Sequence, residues 1–176
     1  MTCIVGLEQN GIVYIGADSA AVAGYTINPV VHPKVGRNGN VLIGYTTSFR
    51  MGQLLQYKLT VPKQSKSMDD IVYMVGPFMD AVRECLKESG YLTVNNNYET
   101  GGTFLVGYKG ALYHISSDLS ITRSANGFDA CGCGEAFALG ALSVAIGRPK
   151  DKILLALEAA SKFSTGVCGP FVVESI

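Results

Sequence analysis

The sequence predicts an α+β domain: a four-layer αββα sandwich of two antiparallel sheets flanked by helix pairs. Three observations lead there. Strand-like and helix-like stretches come in segregated runs (strands, two helices, strands, two helices, strand) and do not alternate. Asn10-Gly11, Asn38-Gly39 and Lys109-Gly110 fold successive strands back as hairpins. The 176 residues, 48% apolar and 16% charged, make one domain's worth of chain with enough core to cover two sheets. No repeat or linker interrupts residues 1–176, which read as a single domain.

Thr2 to Gln9 and Ile12 to Ala17 read as two strands around Asn10-Gly11, a pair suited to a turn that needs φ > 0 at both central residues. A loop rich in Gly, Ala and Pro is expected from Ala20 to Pro33, then a hairpin formed by Lys34-Val-Gly-Arg and Asn40-Val-Leu-Ile-Gly-Tyr around Asn38-Gly39. Met51, Leu54, Leu55 and Leu59 fall at helical spacing. Ser67 is placed to cap a second helix, with Asp69 and Asp70 in its favourable first turn. That helix would bury Ile71, Val75, Phe78, Met79, Val82, Cys85 and Leu86, with a kink at Gly76-Pro77 and an end at Ser89-Gly90. Tyr91 to Thr100 reads as a polar excursion. A third hairpin turns at Lys109-Gly110, and short strands follow near Ser120–Arg123 and Phe128–Cys131. Two helices, Ala136–Ile146 and Asp151–Phe163, and a strand beginning at Phe171 close the chain.

Composition narrows the function. Fourteen basic residues balance fourteen acidic ones and no basic run exists, so there is no electrostatic footprint for nucleic acid or an anionic membrane. A net charge of zero permits self-association. No apolar stretch approaches the ~20 residues of a membrane span, and the N-terminus lacks the basic and apolar regions of a signal peptide. Five cysteines (Cys3, Cys85, Cys131, Cys133, Cys168) form an odd set without framework spacing, which reads as reduced thiols in a cytoplasmic compartment. Cys131 and Cys133 form a C-x-C, but His32 and His114 have no ligand-like spacing to them, so no metal site is expected.

The chemistry begins at Met1-Thr2. A small second residue allows removal of the initiator Met. The exposed threonine would then combine a hydroxyl with an α-amine of ordinary pKa ~7.7–8.0, able to act as base for that hydroxyl. Asp18 ends the second strand, at the end of the hairpin where Thr2 lies, and Lys34 opens the next strand after the loop. A cation close to the amine and hydroxyl would ease deprotonation of both, and a carboxylate would keep that cation charged and oriented. The plainer alternative is that Asp18-Ser19 is a turn or cap and Lys34 a solvated surface residue.

Thr2-Cys-Ile-Val-Gly, Gly16-Ala-Asp18-Ser, Lys34-Val and Leu42-Ile-Gly-Tyr resemble the N-terminal half of a proteasome β-type subunit and of the HslV peptidase, both N-terminal-nucleophile (Ntn) hydrolases. The intervals of 16 residues from Thr2 to Asp18 and 32 to Lys34 match that family without a gap. Gly101-Gly-Thr-Phe-Leu-Val-Gly-Tyr is similar to its central sheet, and Cys131-Gly-Cys133-Gly-Glu to the Gly-Ser-Gly turn that starts its third helix. The resemblance is strong over the first 45 residues and looser beyond.

The resemblance implies Thr2 as nucleophile, its freed amine as base, Asp18 and Lys34 as the supporting pair, and a backbone N–H at Ser48 as oxyanion donor. Three departures accompany it. The oxyanion segment is Thr46-Thr47-Ser48-Phe49 where the family has small glycines, and Cys133 stands where the family has a serine near the threonine amine. Thr165 takes the place of the family's late serine, while Lys162 falls where the family has an aspartate and cannot mimic an acid. The implied protein is a threonine-type endopeptidase that needs no cofactor, forms a homo-oligomeric ring, takes peptide or unfolded-protein substrates, and works with an ATP-dependent unfoldase. Two alternatives stay open: an amidase acting on a small amide, and a catalytically silent assembly protein that keeps Met1.

Overall fold

Strand β1 (Cys3–Gln9) turns through Asn10 and Gly11, at φ 54° and 74°, into β2 (Ile12–Ala17). These are the two positive-φ positions that an Asn-Gly hairpin requires. The computed structural model describes residues 1–176, the whole chain.

The stretch read as a loop after β2 instead holds a small hairpin, β3 (Ala20–Ala23) and β4 (Thr26–Pro29), turning at Gly24. Every residue of β4 is exposed, so no buried alternation marked it in the sequence. β5 (Val35–Asn38) and β6 (Val41–Tyr45) follow. Asn38 pairs with Val41, so the turn is Gly39-Asn40 and lies one residue later than expected. Asn38 is kept in the strand because its side-chain amide donates to the carbonyls of Leu55 and Leu59, 2.8 Å each.

Helix α1 (Phe49–Gln53) runs into a π-helical turn, Leu54–Lys58, closed by a Leu59 N–H to Leu54 carbonyl bond of 2.8 Å. The second long helix starts as α2 (Asp70–Tyr73) and continues as α3 (Met79–Glu88), with a π turn at Met74–Phe78 between them. Asp69, not Ser67, occupies its N-cap position. Pro77 lies inside that π turn, where the expected kink is absorbed as a wider turn. The added residue rotates the upstream turn by roughly 100°. Tyr73 and Met74 therefore face the core, and Ile71 and Val75, expected inside, are exposed.

The polar excursion after α3 is a second small hairpin, β7 (Thr93–Asn95) and β8 (Tyr98–Thr100), with Asn96 and Asn97 both at positive φ. Then come β9 (Phe104–Tyr108), β10 (Ala111–Ile115), β11 (Ile121–Thr122) and β12 (Phe128–Gly132). Helices α4 (Glu135–Val144) and α5 (Pro149–Phe163) and strand β13 (Val172–Ser175) complete the chain.

The strands form two main antiparallel sheets, ordered β12-β1-β2-β13 and β11-β10-β9-β6-β5. Apolar side chains gather in three places. Ile4, Val13, Ile15, Leu42, Leu105 and Leu112 lie between the sheets. Cys3, Val5, Ala138, Ile153 and Leu157 join the first sheet to α4 and α5, and Ile43, Val106, Phe78 and Val82 join the second to α1–α3. Gly44 sets the approach of the sheets: a Cβ there would lie 2.6 Å from Ile15 and 2.7 Å from Ile4. Strands buried on both faces read as near-continuous apolar runs, as Val41-Leu-Ile-Gly-Tyr45 does.

Candidate active site

Four sequence-distant residues meet where both sheets end. Ile4 pairs with Ala17, so Thr2, just before β1, and Asp18, just after β2, share that end of the first sheet. Cys3 pairs with Gly132, which puts Cys133 beside them. Lys34 comes from the second sheet: it precedes β5, and its carbonyl accepts the Tyr45 N–H at 2.9 Å.

The Lys34 ammonium has three hydrogens and three acceptors, Thr2 Oγ1 at 2.8 Å and the Asp18 carboxylate oxygens at 3.0 and 3.1 Å. Asp18 is fixed in turn by the Cys3 N–H on Oδ1 (2.9 Å) and the Ala20 N–H on Oδ2 (2.8 Å). Lys34 and Asp18 are each 1% exposed and Thr2 6%, so the surface-lysine alternative does not describe this chain. Burial lowers the Lys34 pKa below that of an ordinary lysine, and Asp18 pulls it back up. Such a lysine holds its proton less firmly while remaining aimed at a hydroxyl oxygen.

Cys133 Sγ accepts the Thr2 backbone N–H at 3.3 Å and approaches the Thr2 carbonyl at 3.4 Å. It also accepts from Ser164 Oγ at 3.3 Å. The neighbouring Thr165, expected here from sequence, is exposed and turned outward, and Lys162 is exposed in the last turn of α5. Ser164 was missed because it directly follows α5, and which of two adjacent hydroxyls turns inward depends on where that helix stops. Burial raises the other nearby thiols, Cys3 to about 12. Cys168, shifted the same way, lends its carbonyl to the Ser19 N–H at 2.9 Å. No group of three or more His, Cys, Asp and Glu is placed to hold a metal ion.

A cavity of about 340 Å³ opens over Thr2 and Lys34, walled by Val22, Tyr45, Thr46 and Ser48. Thr47 has a φ of 62°, and around it the Ser48 N–H bonds the Thr46 carbonyl at 2.6 Å in a three-residue turn. Ser48 thus lines the cavity as expected, but its N–H is already occupied, and its hydroxyl accepts the Arg50 N–H at the start of α1. Met1 also lines this cavity, its carbonyl accepting the Thr2 hydroxyl. Gly132 (φ 101°) is required here, since a Cβ would fall 2.2 Å from the Thr2 carbonyl oxygen.

Comparison with protein-family models and with curated protein sequences finds no match. Solved structures do match over the whole chain, and they give it the fold of the proteasome-like N-terminal-nucleophile hydrolases. It is similar to Thiobacillus denitrificans BPH in complex with epoxomicin, at a TM-score of 0.82 and 20% identity, covering 99% of this chain and 98% of that one. It is also similar to HslV from Trypanosoma brucei (TM-score 0.69, 18% identity, 99% and 98% covered). A third likeness is to Anbu, an ancestral beta-subunit, from Yersinia bercovieri (TM-score 0.66, 14% identity, 99% and 81% covered).

Proposed function

We propose that the chain is a threonine-type peptidase in which Thr2, exposed by removal of Met1, is the nucleophile. The observation that carries this reading is the buried Lys34 ammonium 2.8 Å from Thr2 Oγ1, held by a buried Asp18. Asp18 takes two of the three ammonium hydrogens, and the third is aimed at the hydroxyl proposed to react.

In the proposed reaction Thr2 Oγ1 attacks the carbonyl carbon of a peptide bond while its proton passes to the freed α-amine. Lys34 stabilises the alkoxide character that develops on Oγ1. The tetrahedral adduct breaks its C–N bond, and the amine's extra proton goes to the leaving nitrogen. A Thr2 ester remains. Water then attacks it, giving a proton to the amine, and that proton returns to Oγ1 as the C–O bond breaks. Cys133, oriented by Ser164, holds the amine in place. The Ser48 N–H serves the oxyanion once its bond to Thr46 opens. The three apolar cores support a four-layer αββα stacking, and the likeness to HslV and Anbu supports a homo-oligomeric ring. Peptide or unfolded-protein substrates, an ATP-dependent unfoldase and a cytoplasmic location complete the reading.

Hydrolysis of fluorogenic peptides and of an unfolded protein by the Met1-free chain tests it. Thr2→Ala should abolish turnover, and Lys34→Ala should lower kcat by about a hundredfold to a thousandfold. Turnover that survives Thr2→Ala, or that needs no loss of Met1, would exclude Thr2 as nucleophile.

A further inference from the structure

Thr47, at φ 62°, is the only β-branched residue of the chain in the left-handed region. A branched side chain is strained at that φ. The turn it centres closes through the Ser48 N–H on the Thr46 carbonyl at 2.6 Å, a rare and strained arrangement when the central φ is positive. All three residues line the cavity over Thr2. Thr47 itself is exposed, so core packing does not impose the conformation.

What holds the turn is its own side chain. Thr47 Oγ1 accepts the Thr103 N–H at 3.1 Å and lies 3.2 Å from Thr46 Oγ1. Gly102, just before that donor, is close enough that a Cβ on it would lie 3.3 Å from Thr47 Cβ. The chain is pinned on either side. The Thr46 N–H bonds the Thr103 carbonyl at 3.1 Å, and Ser48 caps α1, its hydroxyl accepting the Arg50 N–H and its carbonyl the Gly52 N–H, 3.1 Å each. Rotation is thereby concentrated at Thr47. Returning it to the extended or right-handed region separates the ends of the turn and frees the Ser48 N–H into the cavity. None of these hydrogen bonds involves Met1, so its removal leaves the turn closed. We propose that Thr47 is a positioning residue: its hydroxyl, anchored on Thr103, keeps the turn closed and withholds the Ser48 N–H from the reaction. That the freed N–H serves an oxyanion rests on the reading of Thr2 as nucleophile, whereas the hold of the Thr47 hydroxyl on the turn does not.

Two readouts keep these apart. Hydrogen exchange at the Ser48 amide, resolved by mass spectrometry on the Thr2→Ala chain, needs no turnover. Thr47→Val removes the hydroxyl at an exposed position while keeping the branched shape. Exchange at Ser48 should quicken about threefold to tenfold, the worth of one hydrogen bond, and Thr47→Ser should restore the slower rate. In the Met1-free chain with Thr2 intact, Thr47→Val should raise kcat for a fluorogenic peptide by a similar factor with KM unchanged, because the oxyanion forms only on the way through the transition state. Thr47→Ser should bring kcat back. Unchanged exchange in Thr47→Val, a kcat that it lowers or leaves alone, or an effect on KM only would overturn the proposal. Faster exchange in a chain that hydrolyses nothing would retain the hold of Thr47 on the turn and remove the peptidase reading. Hydrolysis by Thr2 with exchange insensitive to Thr47→Val would do the reverse.

Discussion

A lysine ammonium taken out of water is costly, and Lys34 offsets that cost with three hydrogen bonds and a carboxylate that is itself held by two backbone N–H groups. Removing one member leaves the other charge stranded, so Lys34→Ala should destabilise the fold by about 3 kcal/mol, read from denaturant unfolding. The lowered Lys34 pKa has a sign that can be followed. Folded Lys34 binds its proton more weakly than unfolded Lys34, so between the two pKa values the unfolded chain holds more protons and stability rises with pH. Buried Cys3, pushed up to about 12, acts in the opposite sense at alkaline pH. Unfolding of wild type and Lys34→Met across that range isolates the lysine's contribution. Activity should follow a bell: a rise as the Thr2 amine loses its proton, at or below its ordinary ~7.7–8.0 because Lys34 is near, and a fall below the ordinary lysine value of 10.5. A profile still rising past that value would contradict a role for charged Lys34. Strand ends and turn signals suggested that Thr2, Asp18 and Lys34 could meet, the family resemblance singled them out, and Cys133 was pointed to by that resemblance alone. Ser164 was not legible, because its direction depends on where α5 ends.

At the scale of elements, the hairpins marked by Asn-Gly and Lys-Gly dipeptides lie where the sequence put them, apart from the one-residue turn shift that Asn38 imposes. What the sequence could not convey was the two π turns, each of which adds a residue and moves every upstream contact. The small hairpins β3–β4 and β7–β8 escaped notice because they are largely exposed and carry no alternating pattern. The contact between β12 and the chain start is testable through glycine. Gly132→Ala would force a Cβ against the Thr2 carbonyl at a positive φ, costing about 1–3 kcal/mol and displacing Thr2. Gly140→Ala, in α4 with open space around it, should instead raise stability by about 0.5–1 kcal/mol. Thermal unfolding of the pair, with peptide turnover alongside, checks both. Equal effects would mean that Gly132 does not position Thr2.

For the whole molecule, the site exists only because two sheets end together: Thr2 and Asp18 come from one, Lys34 from the other. Gly44, by letting the sheets approach, keeps the ammonium within reach of the hydroxyl. A chain of zero net charge does not oppose self-association, and the ring reading predicts a native mass at a fixed multiple of the 18.6 kDa chain, less Met1. A monomer in native mass spectrometry would remove that part of the account. The most direct test of the nucleophile is intact mass after incubation with a peptide epoxyketone, followed by mapping of the modified residue; epoxomicin, present in the Thiobacillus BPH structure, is a second probe. An epoxyketone closes a ring only with a hydroxyl and a free amine on the same N-terminal residue. The account predicts loss of Met1 and a single adduct on Thr2, abolished by Lys34→Ala. Retained Met1 with no adduct, or an adduct elsewhere, would contradict it.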